Sequence, residues 1–240
     1  MLTVVVIAMR MIDPAQQISL LSLLQLSSPA LPIGGFSYSQ GLEAAVAANI
    51  VNNEVSLSQW INDGLKNYFG SLELPVWCLQ YKAWESLDTA AALDRDAWFR
   101  NTRESEELLF ETQQMGWSVI QLLIDSPHAL QPRWQALLGS RPLALPSAMA
   151  AYAVAEGIPF EEGALGYAFA WVEAQAAAGG KAIPLGQAAI QRVLRASRPD
   201  CVVAVNCAIA LQDADLQTFS PGLGILSSAH EMQYTRLFRS

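Results

Sequence analysis

Only two histidines, His128 and His230, and three cysteines, Cys78, Cys201 and Cys207, are available for nucleophilic or metal chemistry. The cysteines form neither a CxxC pair nor an even disulfide set, and two histidines are too few for a structural zinc site or a histidine-rich metal store. His230-Glu231-Met232-Gln233-Tyr234 begins like a zinc-protease helix, which needs a second histidine one turn on to share the metal, and Tyr234 stands in its place. Gly179-Gly180-Lys181 resembles the end of a phosphate-cradling loop. Ala182 lacks the hydroxyl that would reach magnesium, and Gln175 fills the first glycine position. Gly35-Phe36-Ser37-Tyr38-Ser39 misses the final glycine of a nucleophile elbow, and no strand precedes it. His128 falls in a proline-rich connector, where an exposed loop histidine is the plain reading.

One feature keeps catalysis open. Acidic residues are dense from Glu85 to Glu111, which admits a helical enzyme working through carboxylates. Arg95, Arg100 and Arg103 interleave with them at helical distances, the pattern of a solvated face with weak ion pairs. The sequence therefore predicts a protein that is not an enzyme, with no metal or cofactor of its own.

The elements that must position these residues are helical. From Asn101 to Asp125 the apolar residues Leu108, Leu109, Met115, Val119, Ile120 and Leu123 share one face, with Glu104, Glu107, Glu111 and Gln114 largely opposite. Asn101 with Glu104, and Ser56 with Gln59, read as capping boxes that start helices. Further helices are predicted over 18–27, 40–49, 74–87, 88–100, 132–138, 146–156, 160–178, 185–197 and 199–211. Alternation of the strand type is confined to Thr3–Ile7. The expected fold is all-α, a single-domain multi-helix bundle of about ten helices. Pro127, Pro132, Pro142 and Pro146 mark a connector of about 20 residues, but the helices on either side are too apolar to stand alone.

Composition narrows the class. Apolar residues make up 52% of the 240 and charged residues only 15%, so surplus apolar surface must enter a large core, a partner interface, or both. The run Leu2–Met9 is far short of the roughly 20 residues that span a bilayer, and it lacks the flanks of a signal peptide. A net charge of −8 disfavours nucleic acid. A cytoplasmic protein with protein partners is expected, binding neither membrane nor nucleic acid.

Two segments carry unusual residues. Leu26 to Glu43 reads as a helix end, a stiff Pro29-x-x-Pro32 stretch, then a Gly34-Gly35 turn carrying Phe36 and Tyr38, with Ser37 or Ser39 free to cap the next helix. It is either an interface loop or an ordinary connection packed by its own aromatics. Ser227 to Ser240 carries Tyr234, Leu237 and Phe238 at helical spacing beside Arg236 and Arg239, which suits a docking tail (about 221–240) better than a frayed end.

These segments also carry a resemblance. Leu31-Pro32-Ile33-Gly34-Gly35-Phe36-Ser37-Tyr38-Ser39-Gln40-Gly41-Leu42-Glu43 resembles the N-terminal hallmark of the UreF family. Ser228-Ala229-His230-Glu231, Gln233-Tyr234 and Arg236-Leu237-Phe238-Arg239-Ser240 resemble its closing motif. Gly180-Lys181 with Ile183-Pro184-Leu185-Gly186-Gln187 is similar to an intermediate block, and Arg103-Glu104 and Met115-Gly116 fall where the family has an Arg-Glu and a Gly on one long helix. The blocks run in order from about Leu20 to Ser240. Thr235 replaces a usual serine. Residues 1–17 have no counterpart and form an extension, a disordered arm or the product of an upstream start codon; 18–240 would be the family domain.

The resemblance implies an all-helical homodimeric adaptor. It would join UreD (also called UreH) and the GTPase UreG, and help deliver nickel to apo-urease, with nickel and GTP handled by the partners. The loop around Pro32, Gly34, Gly35, Phe36, Tyr38, Gln40 and Glu43, with Lys181 nearby, would face UreG or the dimer groove. His230, Glu231, Tyr234, Arg236, Leu237, Phe238 and Arg239 would order against UreD, and Gln187 joins the partner-binding candidates.

Overall fold

A computed structural model describes residues 13–125 and 142–240. The predicted segments Thr3–Ile7 and 132–138, and His128, lie outside them. The described residues form α1 (Pro14–Leu26), α2 (Leu42–Ala47), α3 (Glu54–Asn67), α4 (Leu74–Glu85), α5 (Thr89–Asn101) and α6 (Glu106–Asp125). After the undescribed residues come α7 (Leu145–Ala155), α8 (Phe160–Ala182), α9 (Gln187–Ala210) and α10 (Pro221–Glu231). Among the described residues there is no strand, and the fold class is all-α.

α4 and α7 are the buried centre. α7 is rich in alanine, which lets α4 and α6 pack closely against it, while α8 and α9 pair with each other and α9 covers α3. Trp77 and Trp84 on α4 are wholly buried. Trp84 Nε1 donates to the Ser147 carbonyl at 3.1 Å and Tyr81 Oη to the Ile158 carbonyl at 2.8 Å, so the polar edges of Trp84 and Tyr81 are satisfied where they meet α7 and the chain entering α8. A π-helical turn, Phe69–Glu73, leads into α4 and stacks Phe69 on Trp171 of α8, centroids 4.6 Å apart. One apolar cluster reaches from Leu26 to Phe238.

Local chemistry moved several boundaries. α1 starts at Pro14, behind Asp13, four residues before the predicted helix start at Ile18. The box that starts α3 is Asn53 with Ser56: the Asn53 side chain accepts from the Ser56 amide at 3.0 Å, and Ser56 Oγ accepts from the Asn53 amide at 3.0 Å. Asn101 closes α5 instead of opening a helix, and α6 begins at Glu106, where Ser105 Oγ accepts from the Leu108 amide at 3.2 Å. Arg103 and Glu104 therefore sit in the connection and do not share one long helix with Gly116.

α9 is the largest departure. Two helices were expected to meet near Pro199, yet one helix runs through it. Ala189, Ile190, Val193, Leu194, Ser197, Cys201, Ala204, Val205 and Ala208 are buried along one continuous face, and Pro199 points outward. The proline removes one amide from the exposed side; burying the whole stripe outweighs that loss.

Candidate interaction site

The loop after α1 turns back on itself because Gly34 and Gly41 adopt left-handed backbone, φ 78° and 79°, with a short 3-10 turn over Gly35–Ser37 between them. That reversal directs Ser39, Gln40 and Glu43 into the protein. Ser39 rather than Ser37 serves α2: its Oγ accepts from the Glu43 amide at 3.2 Å. Residues 232–240, after α10, lie along this loop. The Arg239 amide donates to the Ser37 carbonyl at 2.7 Å, and the Ser39 amide and hydroxyl donate to the Ser240 carbonyl at 2.8 and 2.6 Å.

Three carboxylates fasten the segment. Glu43 accepts from the Leu237 amide at 2.7 Å, the Phe238 amide at 3.0 Å and His230 Nε2 at 3.0 Å. Glu107 on α6 meets His230 Nδ1 at 2.7 Å and the Arg236 guanidinium. Glu111, one turn on, accepts from Ser240 Oγ at 2.5 Å and Gln40 Nε2 at 2.8 Å. Gln40 in turn accepts from Trp171 Nε1 at 2.7 Å, and Gln175 Nε2 donates to the Ser39 carbonyl at 3.3 Å, tying α8 to the same centre. Lys181 reaches the Phe36 carbonyl at 3.0 Å, with its ammonium 5.5 Å from the Phe36 ring and 5.4 Å from the Phe238 ring.

Loop and tail, read from the sequence as two separate surfaces, are thus one structure. His230 and Phe238 are buried and Tyr38 is covered, while Phe36 is 71% and Leu237 68% exposed, and Tyr234 is fully exposed. Glu231 receives the Glu107 amide at 3.4 Å, and Arg239 lies against the Tyr38 phenol, whose pKa burial raises above its usual value. Pro32 and Gln187 are exposed and take no part in these bonds. The face of Glu104, Glu107, Glu111 and Gln114 is not fully solvated; Glu111 is only 3% exposed, where the loop and the closing segment meet it through Gln40 and Ser240. Sequence reasoning missed Glu107, Glu111, Ser39 and Ser240 as a unit. The i,i+4 spacing of the two glutamates was the available signal.

The acidic stretch disperses. Asp88 caps α5 at the Ala91 amide, and Asp96 accepts from the Ala144 amide at 2.8 Å while pairing with Arg100 at 2.8 Å. Glu85 and Asp94 are exposed, and Glu107 and Glu111 hold the closing segment. Among the described residues no group of three His, Cys, Asp or Glu is placed to hold a metal ion. A cavity of about 150 Å3, mostly apolar, opens between the loop and α8, with Gln40, Glu73 and Glu111 at its polar end.

Burial pushes the Glu111 carboxyl up from 4.5 to about 7, against the pull of its bonds from Ser240 and Gln40. A raised acid binds its proton more tightly in the folded chain, so the stability it contributes is complete below its ordinary value and is lost as pH rises through 7. Glu111→Gln is expected to remove that loss. In urea unfolding at pH 6 and pH 8.5 the variant should fall less than the parent, by roughly 1–2 kcal/mol. Equal slopes for both proteins would contradict the assignment.

Fold and site together define an all-helical protein whose polar centre is spent on seating one of its own segments. The chain belongs to the UreF family of urease accessory proteins. The family model described as UreF matches residues 51–198. A urease accessory protein UreF of Cupriavidus metallidurans is 46% identical over 92% of this chain and 97% of its own length. Those of Ralstonia pickettii and Cupriavidus necator are 47% and 45% identical, with the same coverage of 92% and 97%. The family resemblance read from the two motifs is thereby established, and the family's role is accessory rather than catalytic.

Proposed function

We propose that this chain is a homodimeric cytoplasmic adaptor that joins UreD (UreH) and the GTPase UreG in the complex that delivers nickel to apo-urease. It supplies surface and regulation of UreG, and the partners handle nickel and GTP. The observation that carries this reading is the seated segment 232–240. Its backbone is held by buried carboxylates while Met232, Tyr234 and Leu237 stand out into solvent, as Phe36 does on the loop. Rigidly backed aromatic and aliphatic side chains are the residues that dominate protein interfaces, because little ordering entropy remains to be lost on binding. No helix among the described residues is long and apolar enough to cross a membrane, which is compatible with this assignment.

The test is reconstitution. Mixed at micromolar concentration with UreD and UreG, the chain is expected to elute from size exclusion as a ternary complex. A Tyr234→Ala, Leu237→Ala double variant should weaken association with UreD by roughly 10- to 100-fold with unchanged circular dichroism, since both side chains are exposed. No ternary complex from the parent chain would sink the adaptor reading. Unchanged affinity in the double variant would place the interface elsewhere.

A further inference from the structure

His230 is wholly buried, and both of its ring nitrogens face carboxylate oxygens: Nε2 lies 3.0 Å from Glu43 Oε2 and Nδ1 2.7 Å from Glu107 Oε2. An ionised carboxylate only accepts, and a neutral imidazole carries one N–H. With the ring neutral and both acids ionised, one contact would set lone pair against lone pair. The pair of contacts therefore requires one proton more. The anions have other donors to satisfy: Glu43 receives the Leu237 and Phe238 amides, and Glu107 receives Arg236. Protonating either acid would weaken those bonds, whereas placing the proton on the ring strengthens every one of them.

The charges around the ring point the same way. α2 contributes Glu43; α6 contributes Glu107, with Glu111 a turn further on and Glu104 at its head against Gly224 of α10; the ring's own segment contributes Glu231 and Arg236. Arg236 and Arg103, which lies near Glu111, are cations in that set, and the acids outnumber them. We propose that His230 is held as an imidazolium and acts as a proton-dependent latch: charged, it fixes residues 232–240 on the loop, and loss of its proton releases them. The latch is closed in acid and opens as pH rises, because the closed form is the one that binds the extra proton. Its consequence is positional. The segment that presents Tyr234 and Leu237 is ordered or free according to one buried proton.

The experiment uses the full chain with nitrogen-15 labelling. Changing the chain's other histidine, His128→Gln, leaves one ring to observe. Ring nitrogen shifts and the protection of the Leu237 and Phe238 amides, corrected for ordinary base-catalysed exchange, are followed from about pH 6 to about pH 10. The expected result is two protonated nitrogens at neutral pH, and a drop in protection of at least about tenfold that tracks deprotonation of the ring. His230→Gln should show low protection already at pH 6 and no such step. A singly protonated ring at neutral pH with the segment still protected would overturn the proposal. So would deprotonation that leaves protection unchanged, an outcome the parent ring alone can reveal if the glutamine variant fails to fold.

Discussion

Replacing Glu43 with alanine is expected to unseat residues 232–240 and to cost about 3–5 kcal/mol, the range found when one partner of a buried charged pair is removed. One side chain does the work of several here. Glu43 is 7% exposed and accepts from two backbone amides and one imidazole, while its own amide is bound by Ser39. Without the carboxylate, the Leu237 and Phe238 amides lose their acceptors and His230 faces Glu107 alone. Each orphaned buried donor costs roughly 1–3 kcal/mol, so the segment gains by leaving and hydrating. Glu43→Gln keeps the size and one acceptor oxygen, and should lose about half as much. Urea unfolding measures the first effect. Trypsin measures the second, because Arg236 and Arg239 become cleavable once the segment lifts. An alanine variant with parental stability and an uncut segment would show that Ser39, Glu107 and Glu111 suffice as anchors.

The helical class was legible because burial here follows helical spacing closely. Ala189, Val193, Ser197, Cys201, Ala204 and Ala208 form a stripe that any periodic reading finds. What that reading missed is how much the stripe outweighs a single breaker: Pro199 costs an exposed amide and ends nothing. The capping errors at Ser56 and Asn101 have another origin. Several residues near each boundary can supply a side-chain acceptor, and the winner is set by where the preceding chain arrives, which is tertiary information. For the site, composition alone marked the glycine-hinged loop and the aromatic, basic closing segment as unusual. Their union was not legible. Ser39 and Ser240 are separated by 201 positions, and no local pattern pairs them. Glu107 and Glu111 were assigned to solvent because charge normally lies there. Only the folded chain reveals that this charge is matched by His230, Arg236 and two donors, Gln40 Nε2 from the loop and Ser240 Oγ from the closing segment.

Gly116→Ala is expected to lower stability by about 2–3 kcal/mol, although alanine is the better helix former by about 1 kcal/mol. Gly116 lies where α6 passes the chain entering α7, and a Cβ there would stand 2.0 Å from the Leu143 carbonyl oxygen and 2.9 Å from the Ala144 carbonyl carbon. The obstacle is backbone, and it is pinned on both sides. The Ala144 amide is held by Asp96 at 2.8 Å and the Leu145 amide by Thr112 at 3.0 Å. Relief requires α6 and α7 to separate, exposing Met115, Val119 and Met149, or one of these two buried bonds to break. Gly222→Ala on α10, with nothing within 4 Å of the new atom, is the control and should be neutral or slightly stabilising. Thermal unfolding of the two variants compares steric conflict with helix propensity at the same substitution. Since α6 also carries Glu107 and Glu111, displacing it should loosen the closing segment, and Gly116→Ala should become more sensitive to trypsin at Arg236 and Arg239. Parental melting and parental resistance would mean that residues 142–145 yield without cost, and that Asp96 and Thr112 do not fix the approach of α7.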